Sequence, residues 1–445
     1  MENNYLVTKR PLNALIIFSL PVIIGNLFQQ TYTMADSAIV GRYVSEGALA
    51  AVGASYSLTN IFICIAIGGG IGASVLVSQY FGAKNYVKMK TAVFTALVVF
   101  LALSVLLGGF GLMFSRAIMS ALNTPVDVFD MAVEYLNIYF LGLPFLFMYN
   151  VLSSMFNALG KSRIPLYFLI FSSVFNVILD WILVTQFSME VAGVAWATLI
   201  AQGISAVMSF FVLIAQFRHM VSEQGKIFDR AGLLPMAKIS LPSILQQSTV
   251  SIGMMLVQSV VNSFGSEALA GFSAAMRIEA ICVVPMTGIG NAVSSYTAQN
   301  IGAGKKDRVV EGYHAANRLV LFFAIVIFVI LELFNDNIIR VFLGPDGTAT
   351  AMSTGRDYLI FMGWFFCLIG FKMAVDGLLR GAGDMKVFTF ANLVNLSIRV
   401  IVAMIFAPIY GIHMVWVAVP IGWLANFIIS FVQYRTAKWK YIKVR

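Results

Sequence analysis

The chain has 445 residues, of which 60% are hydrophobic and 11% are charged, and its mean hydropathy is +0.87. Soluble domains carry about 25% charged residues, so this composition excludes an ordinary soluble globular protein. The formal net charge of +9 does not indicate a nucleic-acid partner, because the basic residues follow the connections between apolar runs, where membrane topology explains them.

Apolar runs of roughly 20 residues recur along the whole chain, and each can cross about 30 Å of hydrocarbon as an α-helix. We therefore predict an all-α polytopic membrane protein with 12 transmembrane helices. The predicted spans, in chain order, cover residues 12–40, 50–79, 92–115, 130–157, 164–186, 191–217, 233–262, 269–298, 313–334, 355–379, 387–410 and 413–434.

The sequence also repeats itself after 220 or 221 residues. A shared offset is better explained by one duplication than by several coincidences, and duplicated membrane bundles are typical of secondary transporters. The matching segments are Ser19–Pro21 with Ser240–Pro242, Ser45–Ala50 with Ser266–Ala270, Gln79–Ala83 with Gln299–Ala303, and Trp196 with Trp416.

The duplication predicts two parallel six-helix repeats around a central cavity, with an amino-terminal lobe of residues 1–220 and a carboxyl-terminal lobe of residues 221–445. The repeats are parallel because six spans return the chain to its starting side. Of the 29 Lys and Arg residues, 21 lie in the two tails and the even-numbered connections, whereas 4 lie in the odd-numbered connections. The positive-inside rule then places both termini in the cytoplasm of a multi-pass protein of the cell (inner) membrane.

No motif of an enzyme, a cofactor site or a metal site emerges from the sequence. Cys64, Cys282 and Cys367 lie within apolar runs and lack the spacing of metal ligands. The glycine-rich segment Gly68–Ser74 lies inside a span, where small residues favour close helix packing. The segment around Lys305 fails the phosphate-loop pattern, so we expect no ATPase and no catalytic residue.

Asp36 and Asp180 are the clearest candidates for functional residues, because an intramembrane Asp costs roughly 2.5–3.5 kcal/mol on insertion scales. At 1.5 Å per residue, both fall roughly 6–11 Å below the outer surface, and Thr198 falls in the same layer. Asn176 lies one turn from Asp180 on the same helix face. The four residues predict a polar pocket for a cation or substrate in the amino-terminal lobe. The structural alternative is that the acids only bond neighbouring helices, and that Thr198 bonds its own helix backbone.

The second repeat lacks this acidic pair. Instead, Glu279 and Arg399 both fall near the middle of the membrane, where either charge alone is costly. We therefore expect an ion pair between them, with Arg277 as a competing partner half a turn from Glu279. Whether this second polar site is a structural tie or takes part in transport stays open.

These residues occur in short motifs that together resemble the multidrug and toxic compound extrusion (MATE) family, in particular its DinF-like branch. The motifs are Met34–Gly41 around Asp36, Ala158–Ser162, Asn176–Asp180, Gly193–Thr198 and Arg380–Asp384. The resemblance covers nearly the whole chain. It implies a 12-helix, two-lobed antiporter that exports organic, often cationic compounds in exchange for H⁺ or Na⁺. It also implies that Asp36, Asp180, Asn176 and Thr198 form the cation-coupling site, with Na⁺ as an alternative ligand of the two acids.

The sequence thus favours a secondary active multidrug antiporter working by alternating access. The expected partners are small drug-like molecules and the lipid bilayer, with no nucleic acid, no cofactor and a monomeric state. The alternatives are a lipid-linked oligosaccharide flippase of the related superfamily and a membrane receptor without transport. Twelve spans argue against the flippase, and the intramembrane acids argue against the receptor.

Overall fold

The computed structural model describes residues 4–39, 46–122, 124–218, 220, 225–343 and 347–442, without the side chains of residues 34–39, 46–50 and 57. Within these ranges the chain forms helices and no strand. The helices are α1 (Tyr5–Thr8), α2 (Pro11–Ile39), α3 (Glu46–Gly82), α4 (Tyr86–Ala121), α5 (Phe129–Ala158), α6 (Arg163–Thr185), α7 (Glu190–Arg218), α8 (Arg230–Asn262), α9 (Ser266–Gly302), α10 (Lys306–Leu343), α11 (Ala349–Gly363), α12 (Phe366–Ala382), α13 (Met385–Tyr410) and α14 (His413–Arg435), followed by a 3₁₀ helix at Lys438–Tyr441.

Eleven helices of the described chain are long and apolar enough to cross a membrane, and α11 with α12 forms a twelfth, bent span. The predicted all-α fold with 12 spans is therefore confirmed. The span predicted over residues 355–379 is present as this pair, which bends by 54° between α11 and α12. The break follows Gly363, which is about 1 kcal/mol less favourable than Ala in a helix. The ring of Trp364 then packs against Phe328 of α10, with the centroids 4.6 Å apart.

The two repeats share the geometry of a turn. The chain adopts the left-handed conformation at Lys84, with φ of 57°, and at Gly304, with φ of 75°. The next residue donates its backbone N–H to the fifth residue before it in both turns, from Asn85 to Tyr80 and from Lys305 to Asn300. The duplication seen in the sequence is thus present in the backbone.

The chain divides into two compact units. The continuous unit is Ile24–Ile244, and the discontinuous unit is Met1–Ile23 together with Leu245–Arg445. Both divisions fall inside a helix, within two residues after Pro21 of α2 and Pro242 of α8. The lobe boundary at residues 220 and 221 stays a prediction from the duplication.

In the continuous unit, the start of α8 packs tightly against α3. A Cβ atom added to Gly68 would lie 2.6 Å from Cα of Ile244. One turn earlier on α8, Ser240 Oγ donates a hydrogen bond to the carbonyl of Gly69, the neighbour of Gly68, at 3.2 Å. The glycine-rich run therefore serves close helix packing, as the sequence predicts.

In the discontinuous unit, the amino-terminal segment is bound by residues about 300 positions later. Asn300 Nδ2 donates to the carbonyl of Leu6, at 3.0 Å, and Arg308 Nη2 donates to the carbonyl of Lys9, at 2.6 Å. Lys305 Nζ donates to the carbonyl of Val7, at 3.2 Å. These donors hold the start of the chain against the α9–α10 turn.

Candidate functional site

The structure brings three of the predicted site residues together in the continuous unit. Asn176 and Asp180 lie one turn apart on α6, and both side chains are buried. Thr198 lies on α7, which packs against α6 after a short connection. Apolar contacts among three valines close the end of this helix pair and so fix its register: Val184, Val191 and Val194.

Asn176 is the centre of the hydrogen-bond network. In the orientation that satisfies its whole amide group, the nitrogen donates to Asp180 Oδ2 at 3.0 Å and to the hydroxyl of Tyr32 at 2.8 Å. The amide oxygen accepts from the backbone N–H of Thr198 at 3.0 Å and from its hydroxyl at 3.2 Å. This single amide therefore connects α2, α6 and α7.

Tyr32 is a site residue that sequence reasoning missed. It lies on α2 four residues before Asp36, so the two residues share a helix face. That spacing was the available signal. The side chain of Asp36 lies outside the described residues, and its predicted place in the pocket stays a prediction.

A small cavity adjoins the network. Thr198 lines a space of about 20 Å³ together with Tyr135, Tyr139 and Gln202. Tyr139 is fixed in this wall because its hydroxyl donates to the carbonyl of Thr59 on α3, at 3.1 Å. The polar network of α6 and α7 thus borders space that a small group can enter.

The donor set suits a proton or a hard cation. A carboxylate, an amide and two hydroxyl groups provide oxygen atoms, which are the ligands that hard cations prefer. No group of three or more His, Cys, Asp or Glu residues with metal-ligand geometry occurs within the described part of the chain. The arrangement therefore places a buried carboxylate beside oxygen ligands of the type that hard cations prefer.

The second polar site differs from its prediction. Glu279 is buried on α9 and accepts a hydrogen bond from the hydroxyl of Tyr358 on α11. The expected ion pair with Arg399 is absent among the salt bridges of the described residues, and the two charges interact only at longer range. Arg277 is exposed, since two positions along a helix turn a side chain to the other face. Tyr358, 79 residues away in sequence, could not have been found from helix spacing.

A separate ion pair lies buried within α12. Lys372 Nζ lies 2.9 Å from Asp376 Oδ2, and both side chains are 3% exposed. Asn392 accepts from Lys372 at 3.1 Å, and Ser430 donates to Asp376 at 2.8 Å. The spacing of four residues predicts this pair, and the structure contains it.

Comparison with known sequences decides the family. The sequence profile of the MatE family matches residues 21–182 and again residues 242–405, which is well over half of the chain. The chain belongs to the MatE family. The second match begins 221 residues after the first, which is the offset of the duplication. The resemblance to MATE transporters is confirmed, and its DinF-like branch stays a prediction.

Two curated relatives of this MatE protein come from Bacillus subtilis strain 168. The chain is 30% identical over 437 residues to the probable multidrug resistance protein YpnP, and the alignment covers 97% of both chains. It is 27% identical to the probable multidrug resistance protein YoeA over 440 residues, which cover 95% of this chain and 93% of the relative. A solved MATE transporter in an outward-facing conformation matches with a TM-score of 0.92 and 23% identity, over 99% of each chain. The structural match supports the helical fold alone.

Proposed function

We propose that this MatE protein exports small organic, drug-like molecules in exchange for H⁺ or Na⁺ by alternating access. The observation that carries the coupling proposal is the buried carboxylate of Asp180 within a network of Asn176, Thr198 and Tyr32. The multidrug resistance relatives support the substrate class. The protein acts as a monomer in the cell membrane, with both termini cytoplasmic, and needs no cofactor.

The physical basis of coupling is the cost of a buried charge. A carboxylate in a dry pocket favours its neutral form or a bound cation, whereas a solvated carboxylate releases either one. Asp180 therefore binds H⁺ or Na⁺ when the site is closed and releases it when water enters. We propose Asp36 as the second coupling carboxylate, since it follows Tyr32 on the same face of α2.

Ethidium efflux from proteoliposomes tests this function. We expect Asp180→Asn to fold normally and its gradient-driven efflux to fall at least about tenfold, because the amide is not protonated in this pH range and lacks the negative charge that attracts Na⁺. Asp130→Asn is the matched control, since Asp130 is an exposed acid of the same unit, paired only at the surface with Arg116. Efflux by Asp180→Asn at the wild-type rate would contradict the coupling role.

The same vesicles distinguish the coupling ion. A proton gradient and a sodium gradient are imposed separately, with the other ion equal on both sides. Efflux under only the proton gradient assigns H⁺, and efflux under only the sodium gradient assigns Na⁺. If the efflux rate does not respond to either gradient although the protein is correctly inserted, antiport is excluded.

A further inference from the structure

The discontinuous unit contains a cavity of about 50 Å³ that the proposed coupling site does not use. Three polar side chains line it, Gln258 of α8, Tyr358 of α11 and Arg399 of α13. The rest of the lining is apolar: Met254, Val257, Phe272, Met276, Val415 and Val419. Drug-sized pockets have about 300–1,000 Å³, so this cavity accepts one functional group of a ligand rather than a whole drug molecule.

Arg399 lines this cavity, and its charge interacts with Glu279 only at a longer range than a salt bridge. Its Nε is buried, and among the described residues none accepts a hydrogen bond from it. No carboxylate of the described chain lies within salt-bridge distance of its guanidinium. A guanidinium group stays protonated and presents its N–H donors in a fixed plane. A charge with a free donor inside a membrane segment is costly unless an anion meets it.

The side chain is held in place by close packing. A Cβ atom added to Gly422 of α14 would lie 2.9 Å from Cγ of Arg399, so the stem of the arginine rests against the α14 backbone. Tyr358 is fixed by edge-on contacts with Phe272 at 5.5 Å and Trp416 at 5.7 Å, measured between ring centroids. The polar groups are therefore pre-organised for a ligand.

Glu279 does not occupy the position that an anionic ligand would take. Its carboxylate accepts a hydrogen bond from Tyr358, and Glu279 is not among the described residues that line the cavity. Tyr358 thus takes the hydrogen bond of Glu279, and the acid makes no salt bridge with Arg399. The donors of Arg399 that line the cavity therefore have no carboxylate of the described chain within salt-bridge distance.

We propose that this cavity binds the carboxylate group of an organic substrate, with Arg399 donating to both of its oxygens. A planar group with two oxygens matches the fork of the guanidinium and fits the small volume. Gln258 Nε2 donates to Asn262 at 3.5 Å, and its second N–H remains as a further donor. The flexible side chains of Met254 and Met276 adapt to the adjoining part of the ligand. This inference rests on the proposed export function, and it assigns recognition of the carboxylate of a substrate to Arg399 in the discontinuous unit.

Binding to the purified full-length protein in detergent tests the proposal. The probes are dansyl-glycine and dansyl-glycinamide, which share the same fluorophore. The first has a carboxylate where the second has a neutral amide. We expect the wild type to bind the acid at least about tenfold more tightly than the amide, since a hydrogen bond to a charged group contributes enough binding free energy for that ratio. Arg399→Gln removes this preference, and Arg399→Lys keeps part of it, because lysine retains the charge without the fork.

Arg277→Gln is the matched control, because Arg277 is an exposed arginine of the same unit that does not line the cavity. Equal affinity of the wild type for acid and amide overturns the proposal without any variant. An equal loss of preference in Arg277→Gln and Arg399→Gln also overturns it. Asp180→Asn should keep the preference for the acid, so a failure of ion coupling and a failure of carboxylate binding are distinguishable.

Discussion

At the scale of single residues, the amide of Asn176 connects the groups of the candidate coupling site. It contacts Asp180 on its own helix, Thr198 on α7 and Tyr32 on α2. A buried amide gains only about 0.5–1.5 kcal/mol from each neutral hydrogen bond, but it loses more when a bond is left unmade. Its partners are therefore expected to affect transport even where they bear no charge.

Replacing Tyr32 by Phe tests this connection. The substitution removes the hydroxyl that accepts from Asn176 at 2.8 Å, and the amide then loses a partner on α2. We expect gradient-driven ethidium efflux to fall severalfold, with a loss of stability of about 1 kcal/mol. Tyr167→Phe serves as the control, since Tyr167 is exposed on α6. Equal efflux in the two variants would argue against a role for Tyr32.

The buried pair of Lys372 and Asp376 gives a stability prediction. Asp376→Asn leaves the lysine charge buried without its counter-ion, which costs about 3–5 kcal/mol. The exposed pair of Arg116 and Asp130 has a similar separation of 2.8 Å, so Asp130→Asn should change stability by less than about 1 kcal/mol. Thermal unfolding in detergent compares the two variants. A smaller loss for Asp376→Asn than for Asp130→Asn would refute the pairing.

The sequence predicts those parts of the sites that lie on one helix. Asn176 with Asp180, and Lys372 with Asp376, follow from a spacing of four residues. Their partners on other helices do not follow from spacing, because they depend on how the helices pack. For that reason the bond from Tyr358 to Glu279 could not be foreseen, and the expected ion pair with Arg399 was wrong.

At the scale of helices and turns, the two repeats form the same turn with different residues at the position of positive φ. Gly304 adopts a positive φ without strain, whereas Lys84 adopts it at a cost of about 1–2 kcal/mol. The side chain of Lys84 adds positive charge to a connection that we predict to be cytoplasmic. The lysine is thus favourable for the predicted membrane topology and unfavourable for the backbone conformation of the turn.

Exchanging the residues of this turn measures that cost. We expect Gly304→Ala to destabilise the protein by about 1–2 kcal/mol, and Lys84→Gly to stabilise it by up to about 1 kcal/mol. Gly109→Ala is the control, because a Cβ there meets no atom within 4 Å and Gly109 lies inside α4. Unfolding curves that show Gly304→Ala as stable as Gly109→Ala would contradict the account of the turn.

The number and order of the spans could be read from apolar runs, because the bilayer sets their length. The break between α11 and α12 could not, since no proline marks residues 363–366. The break follows Gly363, but glycines inside other helices, such as Gly109 of α4, do not interrupt them. Local sequence therefore predicts the helices but not which glycine ends one of them.

At the scale of the whole molecule, the discontinuous unit includes both the first 23 residues and the second half of the chain. The segment before α2 is a structural part of that unit, because Leu6 is fully buried and its carbonyl accepts from Asn300. Burying one leucine is worth about 1.5–3 kcal/mol. The amino-terminal tail is therefore more than a carrier of positive charge.

Deleting residues 2–9 tests the importance of this segment. We expect a loss of stability of about 3 kcal/mol or more, because Leu6 and Val7 no longer cover the discontinuous unit. Arg308→Gln should reproduce part of the loss, since Arg308 binds the carbonyls of Leu6 and Lys9. Lys9→Ala should not, because only its backbone is bound. Unfolding temperatures unchanged by the deletion would disprove this role.

The contact between Leu6 and Asn300 has a consequence for synthesis, because 294 residues separate them. Ribosomes add roughly 5–20 residues per second, so the start of the chain waits roughly 15–60 s for its partner to be made. The continuous unit ends at Ile244 and can complete its packing during that interval. Leu6 and Val7 are thus synthesised early but reach their native contacts late, and until then their apolar side chains are accessible to chaperones and proteases.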